Sequence, residues 1–188
     1  MSAQPHEGAA SYAADDPETA LKYAIQHIQG DDRVQIVEGV ITPLSPSWGH
    51  EKAADKIRNQ IASIVSKLGC VTGSGNLDLP GTSNWYVSDV AVVPEGLADA
   101  EALTPDQTLL VVENSSDSNE DIDRIVKRRR YAEYGAPLYL LVDRQQRACT
   151  LYSAPGNLGY TRTDGPLPFG TPLALPEPFD LELDTSEF

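Results

Sequence analysis

Cations are scarce in this chain. Against 28 Asp and Glu it carries 14 Lys and Arg, a formal net charge of −14, with a pI near 4.4. A phosphate polymer would be repelled by most of such a surface, which excludes indiscriminate binding to nucleic acid and leaves only local contact. Cysteine is scarce too. Cys70 and Cys149, the two present, have no Cys or His neighbour at zinc-ligand spacing and read as inert thiols in a reducing, cytoplasmic compartment. No apolar run approaches the length needed to cross a bilayer, and the first residues lack a basic start followed by an apolar core, so neither a membrane span nor a secretion signal is expected. The glycine-rich dinucleotide fingerprint is missing, which excludes a nicotinamide enzyme of that type. No Ser stands in a Gly-x-Ser-x-Gly elbow and the three histidines offer no positioned base, which excludes a serine hydrolase. Gly73-Ser74-Gly75 lacks a Gly-Lys-Ser/Thr ending and reads as a bend or bulge. Asp117-x-Asn119-x-Asp121 begins like a calcium loop but has Ile122 where the turn glycine belongs and Arg128 where the bidentate Glu belongs, so these acids read as a helix cap. No internal repeat is visible.

What is present is best organised around Leu109 to Asp143. Leu109 to Val112 is too short for a helix and rich in Val, so it suits a strand buried on both faces, and it ends on an acid, Glu113. A polar loop leads to a helix opening near Ser118 or Asn119, with Glu120, Asp121 and Asp123 in its first turns, where the helix dipole favours negative charge. Gly135 and Pro137 stop it. Leu138 to Val142 is a second apolar strand. The unit is therefore a parallel, right-handed strand-helix-strand crossover in which a carboxylate at the end of the first strand faces a helix carrying Lys127.

The length of 188 residues fits one domain able to bury a core without disulfides. Residues 1–16 are small and polar and read as a disordered tail; 17–188 read as a single domain with a Pro-rich extension from about 165. Helical spacing of Leu21, Ala24, Ile25 and Ile28 predicts a helix from Pro17 to about Gln29, with His27 on its solvated side. Arg33 to Ile41 alternates as a strand with Val34, Ile36, Glu38 and Val40 on one face. Glu38 there is either a site carboxylate or the end of an edge strand beside Gly39. Ser47 caps a helix to about Leu68 whose inward stripe runs from His50 through Ala53, Ala54, Ile57, Ile61, Ile64 and Val65; a single His in that position is a core or capping side chain unless something else marks it. Val71 to Leu79, interrupted by Gly73-Ser74-Gly75, and Trp85 to Val93 are the next strands, the second with Val87, Asp89, Ala91 and Val93 on one face. An ionised carboxylate in mid-strand among valines needs a cation, a metal or a hydrogen-bond cluster. A turn of helix is expected within Leu97 to Ala102, a hairpin from Ala148 to Arg162, and irregular edge structure after Gly165, anchored by Leu173, Leu175, Phe179 and Leu181.

Adjacent strands bring Asp89 and Glu113 together, and the following helix can lay Lys127 over them. Two such carboxylates call for a positive charge between them, and a hard divalent ion with oxygen ligands, Mg2+ or Mn2+, is the natural occupant. Such an ion lowers the pKa of bound water and stabilises charge on a phosphoryl oxygen, while a lysine orients or deprotonates that water. Asp123, Lys127 and Tyr131 follow at steps of four on one stripe; Asp123 either holds Lys127 in place or makes an ordinary exposed ion pair. The basic concentration Arg124, Lys127, Arg128, Arg129 and Arg130 either suits a helix's C-terminal half or contacts phosphate, Arg124 and Arg128 being the candidates.

These features resemble the Uma-two family, described as putative restriction endonucleases of the PD-(D/E)XK nuclease superfamily. The matching residues are Glu38-Gly39, Ser45-Pro46 and His50, then Ser88-Asp89, then Val112-Glu113-Asn114 with Ser115-Ser116. They continue with Asp123, Lys127, Tyr131-Ala132, Gly135, Pro137 and Val142-Asp143. The resemblance covers roughly Arg33 to Tyr152. It implies a restriction-endonuclease-like α/β core with a mixed central sheet flanked by helices, and metal-dependent cleavage of DNA phosphodiesters. Asp89 and Glu113 would be the metal ligands and Lys127 the water-activating group, with Glu38, His50, Asp123 and Tyr131 in support. It also implies a homodimer. The chain departs from the family pattern at Ser88 in place of Pro, Ser115 in place of Lys, and Gln35 and Val40 in place of acids. A catalytically silent module that binds DNA or a protein is the rival reading.

Overall fold

The computed structural model describes residues 17–26, 33–44, 47–115 and 122–188; His27, the Ser45-Pro46 pair and the Asp117–Asp121 loop fall outside them. Helix α1 (Pro17–Gln26) leads to a hairpin of β1 (Val34–Val37) and β2 (Val40–Pro43), followed by the long helix α2 (Trp48–Lys67). Then come β3 (Cys70–Gly73), β4 (Asn76–Asp78), β5 (Trp85–Val87), β6 (Val90–Pro94) and β7 (Leu110–Ser115). A π-helical turn, Ile122–Lys127, runs into α3 (Arg128–Glu133), and β8 (Leu138–Asp143) and β9 (Ala148–Ser153) follow. The chain closes with β10 (Arg162–Pro168), β11 (Leu173–Leu175) and β12 (Leu181–Leu183).

The central crossover exists as expected. β7 and β8 pair in parallel, Glu113 beside Leu141 and Ser115 beside Asp143, while every other pair in the six-stranded sheet β10-β9-β8-β7-β6-β3 is antiparallel. Strand alternation then sorts the side chains. Leu110, Val112, Leu138, Leu140 and Val142 join Ala54, Ile57, Ile61 and Val65 of α2 in one core. Val111, Tyr139 and Leu141 join Tyr131, Ala136, Val37, Leu77 and Tyr86 in a second core on the other face. Glu113 lies on this second face, under α3.

Two expected strands are broken, and a third is interrupted at Gly73-Ser74-Gly75 as its glycines suggest. Arg33 to Ile41 is a hairpin rather than one strand: Glu38 and Gly39 turn the chain with φ of 47° and 80°, so Val34 pairs with Pro43 and Val37 with Val40. Two successive positive φ values are what a tight two-residue hairpin requires, and Gly39 supplies one without steric penalty. Val71 to Leu79 and Trp85 to Val93 each split at matching places. Their first and second halves change sheets, β4 and β5 joining β1 and β2 in a four-stranded sheet while β6 joins the larger one beside β7 with β3 at its edge. The two breaks are tied together, Ser74 Oγ donating to the Ser88 carbonyl at 2.6 Å. Alternation of apolar residues continues across such a kink, which is why the pattern reads as one strand.

The Pro-rich C-terminal part is more regular than irregular edge structure. β11 and β12 pair, and Leu173, Leu175, Phe179 and Leu183 are buried against α2 and the large sheet, with Leu181 partly buried. Phe179 is 1% exposed. Phe179→Ala is expected to destabilise the protein by about 3–5 kcal/mol in urea unfolding; a loss under about 1 kcal/mol would show that the hairpin does not complete the core.

Candidate active site

The break between β5 and β6 is what frees Asp89. Its N–H still donates to the Val112 carbonyl at 3.1 Å, so the residue is held beside β7. Its side chain leaves the strand plane and accepts from the Asn114 N–H through Oδ2 at 2.6 Å. The same oxygen lies 3.1 Å from His50 Nε2. Ser47 caps α2 by accepting the His50 N–H, 3.3 Å, and the Asn114 amide donates to the His50 carbonyl, 3.2 Å. Helix α2 is thus bolted by its first turn to the end of β7. Further along α2, Arg58 donates to the Asp89 carbonyl at 2.8 Å.

On the other face, Glu113 is buried and both of its oxygens are engaged. Lys127 Nζ is 2.9 Å from Oε2, and the Tyr131 hydroxyl donates to Oε1 at 2.6 Å. Lys127 also lies 3.4 Å from Asp123 Oδ1, and the Asp123 carbonyl accepts from the Tyr139 hydroxyl at 2.8 Å. The π-helical turn adds a residue to the usual repeat and sits where Asp123 and Lys127 both turn inward. Asp123 and Lys127 are 4% and 2% exposed, so the pair is not the exposed ion pair that spacing alone allows.

Charge follows from this burial. Burial, with the nearby Asp89 and Asp123, pushes the Glu113 carboxyl up to about 8 despite the pull of Lys127. Asp123 is raised for the same reasons, burial first. For Lys127 burial acts downward, but Glu113, Asp123 and Asp89 outweigh it and hold the ammonium charged above its ordinary range. Burial also acts downward on His50, and the hydrogen bond and charge of Asp89 overcome it, so His50 is raised. Three carboxyl groups therefore face one ammonium and one imidazole, and below about pH 8 a proton held on Glu113 makes up the balance that a cation could supply instead. Such a deficit of positive charge is what a hard divalent cation fits.

The oxygens bear this out in part. Asp89 Oδ1 makes no hydrogen bond among the described residues, and Asn114 Oδ1 and Ser115 Oγ are buried acceptors without partners among them. No three His, Cys, Asp or Glu among the described residues are set as a full protein cage. A magnesium-like ion, which keeps several waters and takes one or two carboxylates, suits the donor set better than a metal needing four side chains.

The remaining expected residues lie around this cluster. Glu38, in the exposed hairpin turn, is bound by Arg130 through two contacts of 2.8 and 2.7 Å, and that guanidinium lowers its carboxyl below the usual range. Arg124 pairs with Asp143 at 2.6 Å, and Arg128 lies over the Tyr152 ring, 5.2 Å from its centroid. Gln35 is buried, while Val40 is 63% exposed in β2. Ser115 stands two residues beyond Glu113 on the same face, and Lys127 supplies from the helix the ammonium that a lysine at 115 would bring. Asn114 and Arg58 were not legible as site residues. Asn114 carried one signal, an amide next to Glu113 in an otherwise apolar strand.

Because the folded protein holds the Glu113 proton more tightly than the unfolded chain, with its ordinary value of 4.5, stability falls as pH rises from about 4.5 to about 8 and levels off above. Glu113→Gln removes that slope. Urea unfolding across this window should show the wild type losing stability relative to the variant; a pH-independent difference would contradict the burial of a shared proton here.

The sequence profile of the family described as "Uma2: Putative restriction endonuclease" matches residues 18–186. No curated protein matches the chain. Among solved structures, one similar to it is the crystal structure of "a putative nuclease belonging to DUF820" from Anabaena variabilis. The TM-score is 0.69 at 14% identity, over 89% of this chain and 95% of that one. At that identity the likeness speaks for the fold, a mixed α/β architecture, and the profile, spanning nearly the whole sequence, speaks for the lineage: the chain belongs to the Uma2 family.

Proposed function

We propose that the protein is a metal-dependent endonuclease hydrolysing phosphodiester bonds of DNA. The observation that carries this reading is the buried Glu113–Lys127–Asp123 group set beside Asp89 at the end of the parallel strand pair, where α/β sheets place their ligands. Asp89 and Glu113 would hold Mg2+ or Mn2+, which supplies Lewis-acid stabilisation of phosphoryl charge and a bound water of lowered pKa.

The chain's own groups do the rest. Lys127 is fixed from two sides and stays charged, so it acts as a hydrogen-bond donor that orients the attacking water and stabilises negative charge developing on the phosphate, rather than as a free base. Tyr131 locks the Glu113 carboxylate in one orientation. His50 donates through Nε2 to Asp89 Oδ2 and so holds that carboxylate in place. In the net reaction one water is added across a P–O bond, its hydroxyl ending on phosphorus and its proton on the leaving oxygen. Arg124 and Arg128 lie on the helix above the cluster, where they can meet flanking phosphates in spite of the acidic surface.

A silent binding module has one specific observation in its favour: Lys127 and Tyr131 already occupy both Glu113 oxygens. Plasmid nicking in Mg2+ or Mn2+ separates the two readings. The nuclease reading expects nicking by the wild type that is abolished by EDTA and reduced about 100-fold or more by Asp89→Ala, Glu113→Gln and Lys127→Ala. Calorimetry should show an ion bound at millimolar concentration or tighter and lost in Asp89→Ala. No ion and no cutting of either plasmid or single-stranded DNA by a folded wild type would leave the binding module.

A further inference from the structure

We propose that Trp48, Lys52 and Arg144 form a platform for single-stranded nucleic acid at the mouth of the site. An unpaired base would lie on the indole and its flanking phosphates on the two cations. The proposal deepens the nuclease reading, on which it rests, by naming the substrate class.

Trp48 is 93% exposed in the first turn of α2. It lies roughly two and a half turns before Ile57, at the back of the buried stripe, so no core requires it. Lys52 follows one turn later on the same face, is exposed, and makes no salt bridge among the described residues. Arg144 reaches the same turn from the end of β8. A Cβ on Gly49 would stand 2.6 Å from its guanidinium nitrogen, so the side chain lies directly on the bare backbone beside Trp48. Among the described residues Arg144 has no ion pair and no hydrogen bond. In a chain of charge −14, where Lys22, Lys56 and Arg130 are each neutralised by a carboxylate, two cations without a salt bridge of their own on the turns that carry an exposed indole form a local anion site.

The platform borders the carboxylates on two sides. His50, two residues beyond Trp48, contacts Asp89. Asp143, just before Arg144, pairs in register with Ser115, two residues beyond Glu113. Two acids lie nearby: Glu51, 3.9 Å from His50 Nδ1, and Glu187, whose carboxyl Lys56 and Lys52 together hold low. Base–aromatic stacking tolerates any sequence because every base has a π-face, and it needs a base whose face is not covered by its neighbours. A duplex hides those faces, so the exposed indole selects unpaired strands.

The chain carries its own probe. Of its two tryptophans, Trp85 is 4% exposed, so solvent-exposed emission comes from Trp48. Binding of a twelve-residue oligothymidylate is measured in EDTA, which keeps cutting out of the measurement, by fluorescence and by anisotropy of a labelled strand. The expected result is saturable quenching of the red-shifted emission, with the matching duplex competing at least tenfold less well. Trp48→Ala should weaken binding roughly 10- to 100-fold, and Arg144→Gln should lower the salt slope by about one. The unfolding curve of Trp48→Ala should overlay the wild type, since that side chain is exposed, and Arg144→Gln should stay folded at the temperature of the assay.

Binding without quenching, unchanged affinity in Trp48→Ala, equal affinity for duplex, or no binding would each overturn the platform. Quenching without metal-dependent cutting would uphold the platform while the nuclease reading fails; cutting that is indifferent to Trp48→Ala would do the reverse.

Discussion

The Lys127 ammonium, buried between Glu113 and Asp123, is the interaction on which the structure of this site depends. Removing any one of these charges from water costs several kcal/mol, and the attraction among them compensates only when geometry and hydrogen bonds are good. That condition reaches outward. Tyr131 must be present to hold the second oxygen of Glu113, Tyr139 to hold the Asp123 carbonyl, and the helix must wind as a π-turn where the two inward side chains begin. The tyrosines are themselves packed as a cluster, Tyr86 against Tyr131 and Tyr131 against Tyr139 with ring centroids 5.6 and 5.3 Å apart. The low-dielectric wall they build makes each of these charges count for more than it would in water.

A second constraint is the paired break in the strands. A continuous β5–β6 strand would bury Asp89 against its neighbours; splitting it at Ser88-Asp89 and answering with the Gly73–Gly75 gap lets one chain serve two sheets and releases the carboxylate to the edge of β7. Ser74, by holding the Ser88 carbonyl, keeps the two breaks aligned. The same edge receives the first turn of α2 through Asn114 and His50. The site is therefore assembled from rigid ends of elements rather than from a long loop, the arrangement that holds catalytic groups most closely in place.

Much of this was readable from residue patterns. β7 and β8 announced themselves by short apolar runs, the helix between them by its stop signals, and the carboxylates Asp89 and Glu113 by standing among valines, where an acid requires a partner. Step-of-four spacing put Asp123, Lys127 and Tyr131 on one stripe, although only packing shows that the stripe faces inward. Tertiary context decided the rest. For Glu38 the alternation through Val34 to Val40 left a site carboxylate and a strand end beside Gly39 both open, and the Glu38-Gly39 turn decides for the strand end and leaves Glu38 to Arg130. The sheet switch at Asp89 leaves no trace in hydrophobic period, and the Pro-rich C-terminal part hid a hairpin because its apolar residues, Leu173, Leu175 and Phe179, are spaced by prolines that also suit irregular chain.

The central claim is that this charge-deficient cluster holds a divalent cation between Asp89 and Glu113. Diffraction from Mn2+-soaked crystals, measured at an energy where manganese scatters anomalously, tests it without reference to activity. The expected result is one strong anomalous peak within coordination distance of Asp89 Oδ1 and a Glu113 oxygen. A cluster left with Lys127 and Tyr131 on Glu113, and no peak near Asp89 at saturating Mn2+, would contradict it.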